Sequence, residues 1–187
     1  IVSGAGVLLL DGQEAKDPLA IKEQLRSHKI THFICVPALY RAILEIAAPE
    51  DFKYLRMITL AGEKVEADLV LQSKRLNPQV ELKNEYGPTE NSVASTYYRD
   101  LQAGGPVSIG KPIANTQVYL VNQEQQLQPI GVFGEICLTG RGLARGYLNQ
   151  PELTAAKFVR NPFALQTSDF TFPIMYRTGD LGRWFPD

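Results

Sequence analysis

Histidine and cysteine are scarce in this chain of 187 residues, with two of each. His28 and His32 stand close together, but the intervening "KIT" begins a strand-like run, so they share no helical face and a zinc site there is not expected. With no other histidine, a Ser-His-Asp triad is not expected either. Cys35 in "FICVP" and Cys137 in "GEICLTG" both sit in apolar, strand-like runs, and read as separate buried thiols of a reducing compartment, the cytoplasm. Neither sign of charge is in excess: 19 Lys and Arg face 20 Asp and Glu, and no basic cluster provides a footprint for nucleic acid. No apolar run approaches the roughly 18–20 residues that a membrane-spanning helix needs, so no membrane partner is expected. The first residues, Ile1 to Gly4, include neither an initiator methionine nor a charged n-region, and no signal peptide is visible. The chain stops abruptly at "RWFPD", and both ends read as cut.

What remains is the composition of an ordinary soluble globular protein, 44% hydrophobic and 21% charged, long enough for one large domain or two small ones. The first half alternates short apolar runs with helical patterns. "GVLLLD" reads as a buried strand. "DPLAIKEQLRSHKI" places Asp17 as N-cap, Pro18 at the first helical position, and Leu19, Ile21 and Leu25 toward a core. "THFICV" is a second strand, and Pro37 opens a helix with Leu39, Ile43, Leu44 and Ile46 as its apolar face. "MITLA", "EADLVLQSKRL" and "VELKNEY" continue as strand, helix and strand. This alternation predicts an α/β fold with a mostly parallel sheet flanked by helices. From about Leu101 the texture changes to short β-rich pieces, "VSIGKPI", "TQVYLVN" and "GEICLTG", with "NQEQQLQPIG" as a polar hairpin-like connection. "QPELTAAKF" is one isolated helix with Pro151 near its start, and "NPFALQTSDFTFPIM" reads as a surface loop. The division expected is an α/β part over 1–104, truncated at its start, and a small antiparallel, β-barrel-like part over 105–187.

In parallel α/β sheets, ligands sit at the carboxyl ends of the strands. Two such ends carry glycine-containing polar turns, "LAGEKVE" and "NEYGPTE". Either alone is as compatible with an ordinary βα loop; together they favour a ligand crevice. Glu90 can hold Mg²⁺, a hard cation that takes a carboxylate or two with phosphate oxygens. Thr89 can donate its hydroxyl to a phosphate, and Tyr86 offers a flat face to a base. The alternative has Thr89 as an N-cap and Tyr86 as a core-edge aromatic. A third cluster, "YRTGDLGR", contains Asp180, whose carboxylate can accept from a ribose diol; taken alone, a hairpin turn with an exposed aspartate is the better reading.

Two glycine patterns fail on inspection. "GPVSIGKP" has the phosphate-loop spacing of Gly105, Gly110 and Lys111, but Pro112 stands where a metal-binding Ser or Thr belongs, one residue into the helix that such a loop requires, and the stretch lies in the β-rich half. "GRGLARG", Gly140 to Gly146, is one residue too long for a dinucleotide fingerprint and reads as a flexible arginine-bearing turn.

Taken in order, "NEYGPTE", "GEICLTGRGLARGYLNQPELTAAKF" and "YRTGDLGRWFPD" resemble three successive core motifs of the adenylate-forming enzymes. The resemblance covers nearly the whole chain and is most specific to the amino-acid-activating adenylation domains of nonribosomal peptide synthetases. Acyl- and aryl-CoA ligases and luciferases share the Tyr-Gly-x-Thr-Glu and Thr-Gly-Asp elements more loosely. The resemblance implies a fragment of the large N-terminal adenylation region. It also implies ATP and Mg²⁺ as cofactors, an amino-acid substrate activated as its adenylate, and transfer to phosphopantetheine on a carrier domain beside a condensation domain. It assigns Thr89 to the α-phosphate and Glu90 to Mg²⁺, both catalytic. Tyr86 would stack on adenine, Gly62, Glu63 and Asn84 would edge the base, Gly87 would join the nucleotide contacts, and Asp180 would bind the ribose. The substrate pocket would be lined by Ile34, Thr59, Ala61, Glu85, Val93 and Ala94, with Glu85 suited to a basic or polar side chain unless it turns to solvent.

The family's Gly/Ser/Thr-rich phosphate loop, its substrate-ammonium aspartate, its hinge and its lid with the catalytic lysine have no counterpart here. The isolated chain is therefore expected to be inactive and, with a parallel-sheet edge open, only marginally stable. A CoA ligase fragment and a degenerate nucleotide-binding or interaction module are the competing readings.

Overall fold

The computed structural model describes residues 4–164 and 172–186. Its local geometry starts from the caps. The Asp17 carboxylate accepts the Leu19 N–H at 2.9 Å, and Pro18 opens helix α1 (Pro18–Ser27), where a missing N–H costs nothing. The chain divides into two compact units, one of residues up to 85 with 98–109, the other of 86–97 with those from 110 on.

In the first unit, strands β1 (His32–Cys35), β2 (Met57–Ala61) and β3 (Glu81–Tyr86) pair in parallel, joined by helices α2 (Pro37–Ile46) and α3 (Ala67–Leu76). Alternation of side chains puts Ile58 and Leu60 of β2 and Leu82 of β3 on one face, all fully buried. Against them pack Ile21 and Leu25, then Tyr40, Ile43 and Leu44, and Leu69 and Val70 from the three helices. The Tyr40 hydroxyl enters this core with a partner, Ser73 Oγ at 2.6 Å, as a buried polar group must. Leu19 does not join: it lies about 200° around α1 from Ile21, and is 60% exposed. Ile46, the last residue of α2, is also exposed, while Leu39 packs at the core margin. The strand expected at "GVLLLD" is absent as well. Residues 6–11 pair with no described strand, and Val7 and Leu9 are 60% and 85% exposed.

The second unit is antiparallel. A short pair, β4 (Thr96–Tyr98) with β5 (Lys111–Pro112), precedes a sheet of β6 (Thr116–Val121), β7 (Gly134–Gly140), β8 (Phe158–Arg160) and β9 (Ile174–Gly182) in the order β6-β7-β9-β8. Among the described residues the sheet is open, with β6 and β8 at its edges, and no closed barrel forms. Only two residues of "VSIGKPI" form strand, and they lead into no helix. Helix α4 (Pro151–Lys157) runs directly into β8. Val121, Cys137, Phe163 and Met175 form a small core, with the Tyr119 ring tilted against Phe163 at 4.8 Å between centroids. The segment expected as a surface loop, 161–175, therefore contributes to this core through Phe163 and Met175, while 165–171 lie outside the described residues. "YRTGDLGR" is no simple hairpin turn either: it runs through β9, which pairs with β7 across a register shift between Glu135 and Cys137. Both cysteines are free, and burial pushes each thiol up to about 12. Among the described residues no helix is long and apolar enough to cross a membrane.

Candidate functional site

Four of the proposed pocket residues share one face of the parallel strands. Ile34 stands in register with Thr59, and Ala61 with Glu85, on the side opposite the buried Ile58, Leu60 and Leu82. Ile34 is 64% exposed there, so an apolar surface lies open on this face. Glu85 does not stand alone: Lys83, two residues back on the same face, forms an ion pair with it, and both side chains are mostly covered. The carboxylate is thereby compensated within its own strand.

The turn after β2 needs its glycine, because Gly62 has φ +86° and an added Cβ would enter the left-handed region beside Val36. Glu63, the next residue, accepts the Ala38 N–H at 3.1 Å, placing a carboxylate at the N-terminus of α2. Asn84 points to the buried side of β3, is 4% exposed, and donates its amide to the Ser108 carbonyl at 2.9 Å.

The second unit holds the remaining candidates in a turn that follows β3. Gly87 is fixed by close approach: a Cβ there would lie 2.3 Å from the Val93 carbonyl and 2.6 Å from the Ser95 nitrogen. Pro88 then leads into a single 3₁₀ turn, Thr89–Asn91. Thr89 is the first residue of that turn rather than its cap; it is exposed, and its hydroxyl has no hydrogen bond among the described residues. Ser92 and Val93 follow with φ of +55° and +74°, a strained state for a β-branched residue. Val93 is 67% exposed and Ala94 half-buried.

Tyrosines hold the acidic groups of this unit. Tyr86 donates to Asp180 Oδ2 at 2.7 Å, and burial, then that bond, raises its phenol. Tyr147 donates to Glu90 Oε1 at 2.5 Å and lies 3.2 Å from the Tyr176 hydroxyl. The Tyr147 bond is the main reason that the Glu90 carboxyl falls below its ordinary value. Asp180 is exposed on a braced turn: Thr178 Oγ1 donates to the Ile136 carbonyl and accepts from the Asp180 N–H, and Glu135 accepts from Arg177 and from the Gly179 N–H. Tyr147 and Tyr176 have no role assigned by the sequence motifs, although both stand inside them. The one available signal was a phenol within each motif.

This donor set suits a nucleotide with a hard cation. Asp180 Oδ1 makes no hydrogen bond among the described residues and the Thr89 hydroxyl is open, while the Glu90 carboxylate meets the phenols of both Tyr147 and Tyr176. No group of three or more His, Cys, Asp or Glu able to hold a metal exists among the described residues. A cation at Glu90 would therefore complete its shell with phosphate oxygens and water, the habit of Mg²⁺ rather than of a metal caged wholly by protein.

The AMP-binding enzyme family profile matches residues 1–148. Over all 187 residues the chain is 54% identical to a plipastatin synthase of Bacillus subtilis (strain 168) and 51% identical to tyrocidine synthase 3 of Brevibacillus parabrevis. It spans only 5% and 3% of their lengths. Among solved structures it is similar to the nonribosomal peptide synthetase FmoA3, at 31% identity and a TM-score of 0.80 over 92% of this chain and 18% of that one. It is also similar to the NpsA N-terminal subdomain of Klebsiella oxytoca in complex with 3-hydroxyanthranilyl-AMSN, at 26% identity and a TM-score of 0.75, over 97% of this chain and 42% of that one. The chain belongs to the AMP-binding enzyme family.

Proposed function

We propose that the chain is part of an adenylation domain that activates an amino acid with ATP and passes it to a phosphopantetheine thiol on a carrier domain, next to a condensation domain, in nonribosomal peptide synthesis. The observation that carries this reading is identity of 50% or more, over all 187 residues of this chain, to plipastatin, tyrocidine and gramicidin S synthases, joined to an ionised Glu90 and an exposed Asp180 in one unit. An oxygen of the substrate carboxylate attacks the α-phosphorus of ATP, an acyl–phosphate bond forms, the α–β P–O bond breaks, and pyrophosphate leaves. The attacking oxygen is already anionic, so the step requires no general base, and positioning with charge neutralisation supplies the catalysis. Mg²⁺, when bound, would neutralise phosphate charge.

Thr89 and Glu90 are assigned to the phosphate and the cation. Tyr86, Gly87, Asn84, Gly62 and Glu63 are assigned to the base side of the nucleotide, and Asp180 to the ribose. Asp180 retains an unbonded oxygen for a diol while its other oxygen accepts from Tyr86. Ile34, Thr59, Ala61, Glu85, Val93 and Ala94 are assigned to the substrate side chain, with Lys83 reducing the charge that Glu85 presents. Residues 1–104 constitute the α/β part of the domain and 105–187 its β-rich part.

The test is amino-acid-dependent ATP–pyrophosphate exchange by the full-length protein that carries this chain, assayed over a panel of amino acids. Glu90→Ala and Asp180→Ala are expected to lower exchange by about two orders of magnitude each. Exchange at the wild-type rate in both variants would overturn the assignment. Aryl acids belong in the panel because the NpsA subdomain is solved with an aryl-AMSN ligand. FmoA3, solved with α-methyl-L-serine-AMP, is the more similar at 31% identity, which favours amino acids.

A further inference from the structure

We infer that Tyr147 is a positioning residue for Glu90: its phenol fixes one carboxylate oxygen so that the other is presented to the cation. The inference rests on the assignment of Glu90 as cation ligand and goes beyond it.

The geometry is closed on several sides. Tyr147 Oη donates to Glu90 Oε1 at 2.5 Å. That commits its single proton, so in the 3.2 Å contact with Tyr176 the hydroxyl of Tyr176 is the donor. Tyr176 also interacts with the Glu90 carboxylate directly, so the two phenols flank it, with Tyr147 the closer donor. The Glu90 main chain is held from the same segment, because the Ala144 N–H donates to the Glu90 carbonyl at 2.7 Å. Tyr147 is itself anchored: its N–H donates to Thr154 Oγ1 at 2.9 Å, and that hydroxyl donates to the Gln150 carbonyl at 2.8 Å at the start of α4. The Phe158 ring packs edge-on against Tyr147 at 5.7 Å and lies 5.0 Å from Tyr176, which is only 5% exposed. A glutamate on a flexible stem otherwise samples many rotamers, and a ligand held by one outer partner binds its metal more tightly than a free one.

Tyr147→Phe keeps the ring and removes only the donor. In the full-length protein that carries this chain, Mn²⁺ binding is titrated by electron paramagnetic resonance with α,β-methylene-ATP present. Tyr147→Phe is expected to weaken Mn²⁺ about tenfold, within the range for lost outer partners of metal ligands. The Mg²⁺ concentration for half-maximal pyrophosphate exchange should rise by a similar factor, with kcat at saturating Mg²⁺ changed far less and the melting temperature lowered by only a few degrees. Tyr176→Phe, which removes the more distant of the two phenols, should weaken Mn²⁺ about threefold, less than the loss of the closer donor. Wild-type Mn²⁺ affinity in both phenylalanine variants, with Glu90→Ala impaired, overturns the inference and leaves the Glu90 assignment standing. Wild-type affinity in Glu90→Ala overturns the assignment itself. A Tyr147→Phe variant that lowers kcat and melting temperature without moving Mn²⁺ affinity identifies Tyr147 as a packing residue only, and also overturns the inference.

Discussion

The two units position their candidate groups by different means. In the first, the main chain does it: parallel register sets Ile34 beside Thr59 and Ala61 beside Glu85, and the Gly62 turn delivers Glu63 to a helix N-terminus. Beneath lies a broad core running from Ile21 to Leu101. In the second unit the work falls to side chains, with Tyr86 on Asp180 and Tyr147 on Glu90, beside a core cluster of Val121, Cys137, Phe163 and Met175. A unit held by burial should register substitutions as lost stability. One held by phenol–carboxylate bonds should register them as lost ligand affinity. The contrast has an exception within the second unit, where Arg177 and Glu135 brace the Thr-Gly-Asp turn by an ion pair.

The sharpest way to break this contrast is to empty each core in turn. Ile58→Ala and Leu82→Ala remove side chains with no exposed surface from the larger core, and each should cost about 3–4 kcal/mol in chemical denaturation. Met175→Ala, equally buried but in the smaller core, should cost about 2 kcal/mol, since fewer neighbours lose contact. Equal losses at the two places would end the distinction. Gly87→Ala tests the turn that presents Glu90. The added methyl meets main chain on two sides, and the cost should be about 1–3 kcal/mol together with weaker Mn²⁺ binding. A stability loss with unchanged binding would show that the turn can shift without moving its carboxylate.

Most of the first unit was legible because its signals are local. Asp17 followed by Pro18, and Pro37 opening an apolar stripe, announce helices from within a few residues, and the β2 and β3 strands carry the same local marks. What failed there was partnership: "GVLLLD" has strand composition, but a strand exists only when another pairs with it, and composition does not report pairing. Leu19 failed for a geometric reason that helical angles could have supplied. In the second unit the motifs marked where Glu90 and Asp180 stand, but not what holds them. Tyr147 is 57 positions from Glu90 and Tyr86 is 94 from Asp180, and no local pattern links residues so far apart. The pairing of Lys83 with Glu85 was within reach, since residues two apart on a strand share a face.

Acid offers a gentler probe. Asp11, Asp68 and Glu81 in the first unit, and Glu90 in the second, all sit below their ordinary values when folded. For such groups the stabilisation is complete above the unfolded value, about 4 for carboxylates, and is lost as pH falls through the lower folded value. Stability should therefore decline below about pH 4, not above it. Asp68 and Glu81 owe their shifts first to Arg41 and Arg99, whereas Glu90 owes its shift first to a neutral phenol. High salt should raise the first two toward ordinary values and leave Glu90 nearly unmoved, as followed by carboxyl NMR titration. Equal salt sensitivity at all three would contradict the phenol as the dominant partner of Glu90.

The smallest effects fall where exposure and strain meet. Val93→Gly relieves a left-handed φ of +74° but frees the unfolded backbone, so a net gain of about 0.5–1 kcal/mol is expected. Below it comes Leu9→Ser. Leucine at an unpaired, 85% exposed position buries almost nothing, so removing it should alter stability by no more than about 0.5 kcal/mol. Ile58→Ala and Leu9→Ser thus set the ends of one scale within a single unit, both removing a branched aliphatic side chain. The difference between them measures burial, because hydrophobicity is nearly the same at the start. A loss above about 1 kcal/mol at Leu9 in urea denaturation, beyond the range for surface positions, would show that "GVLLLD" pairs in solution as the strand its composition suggests.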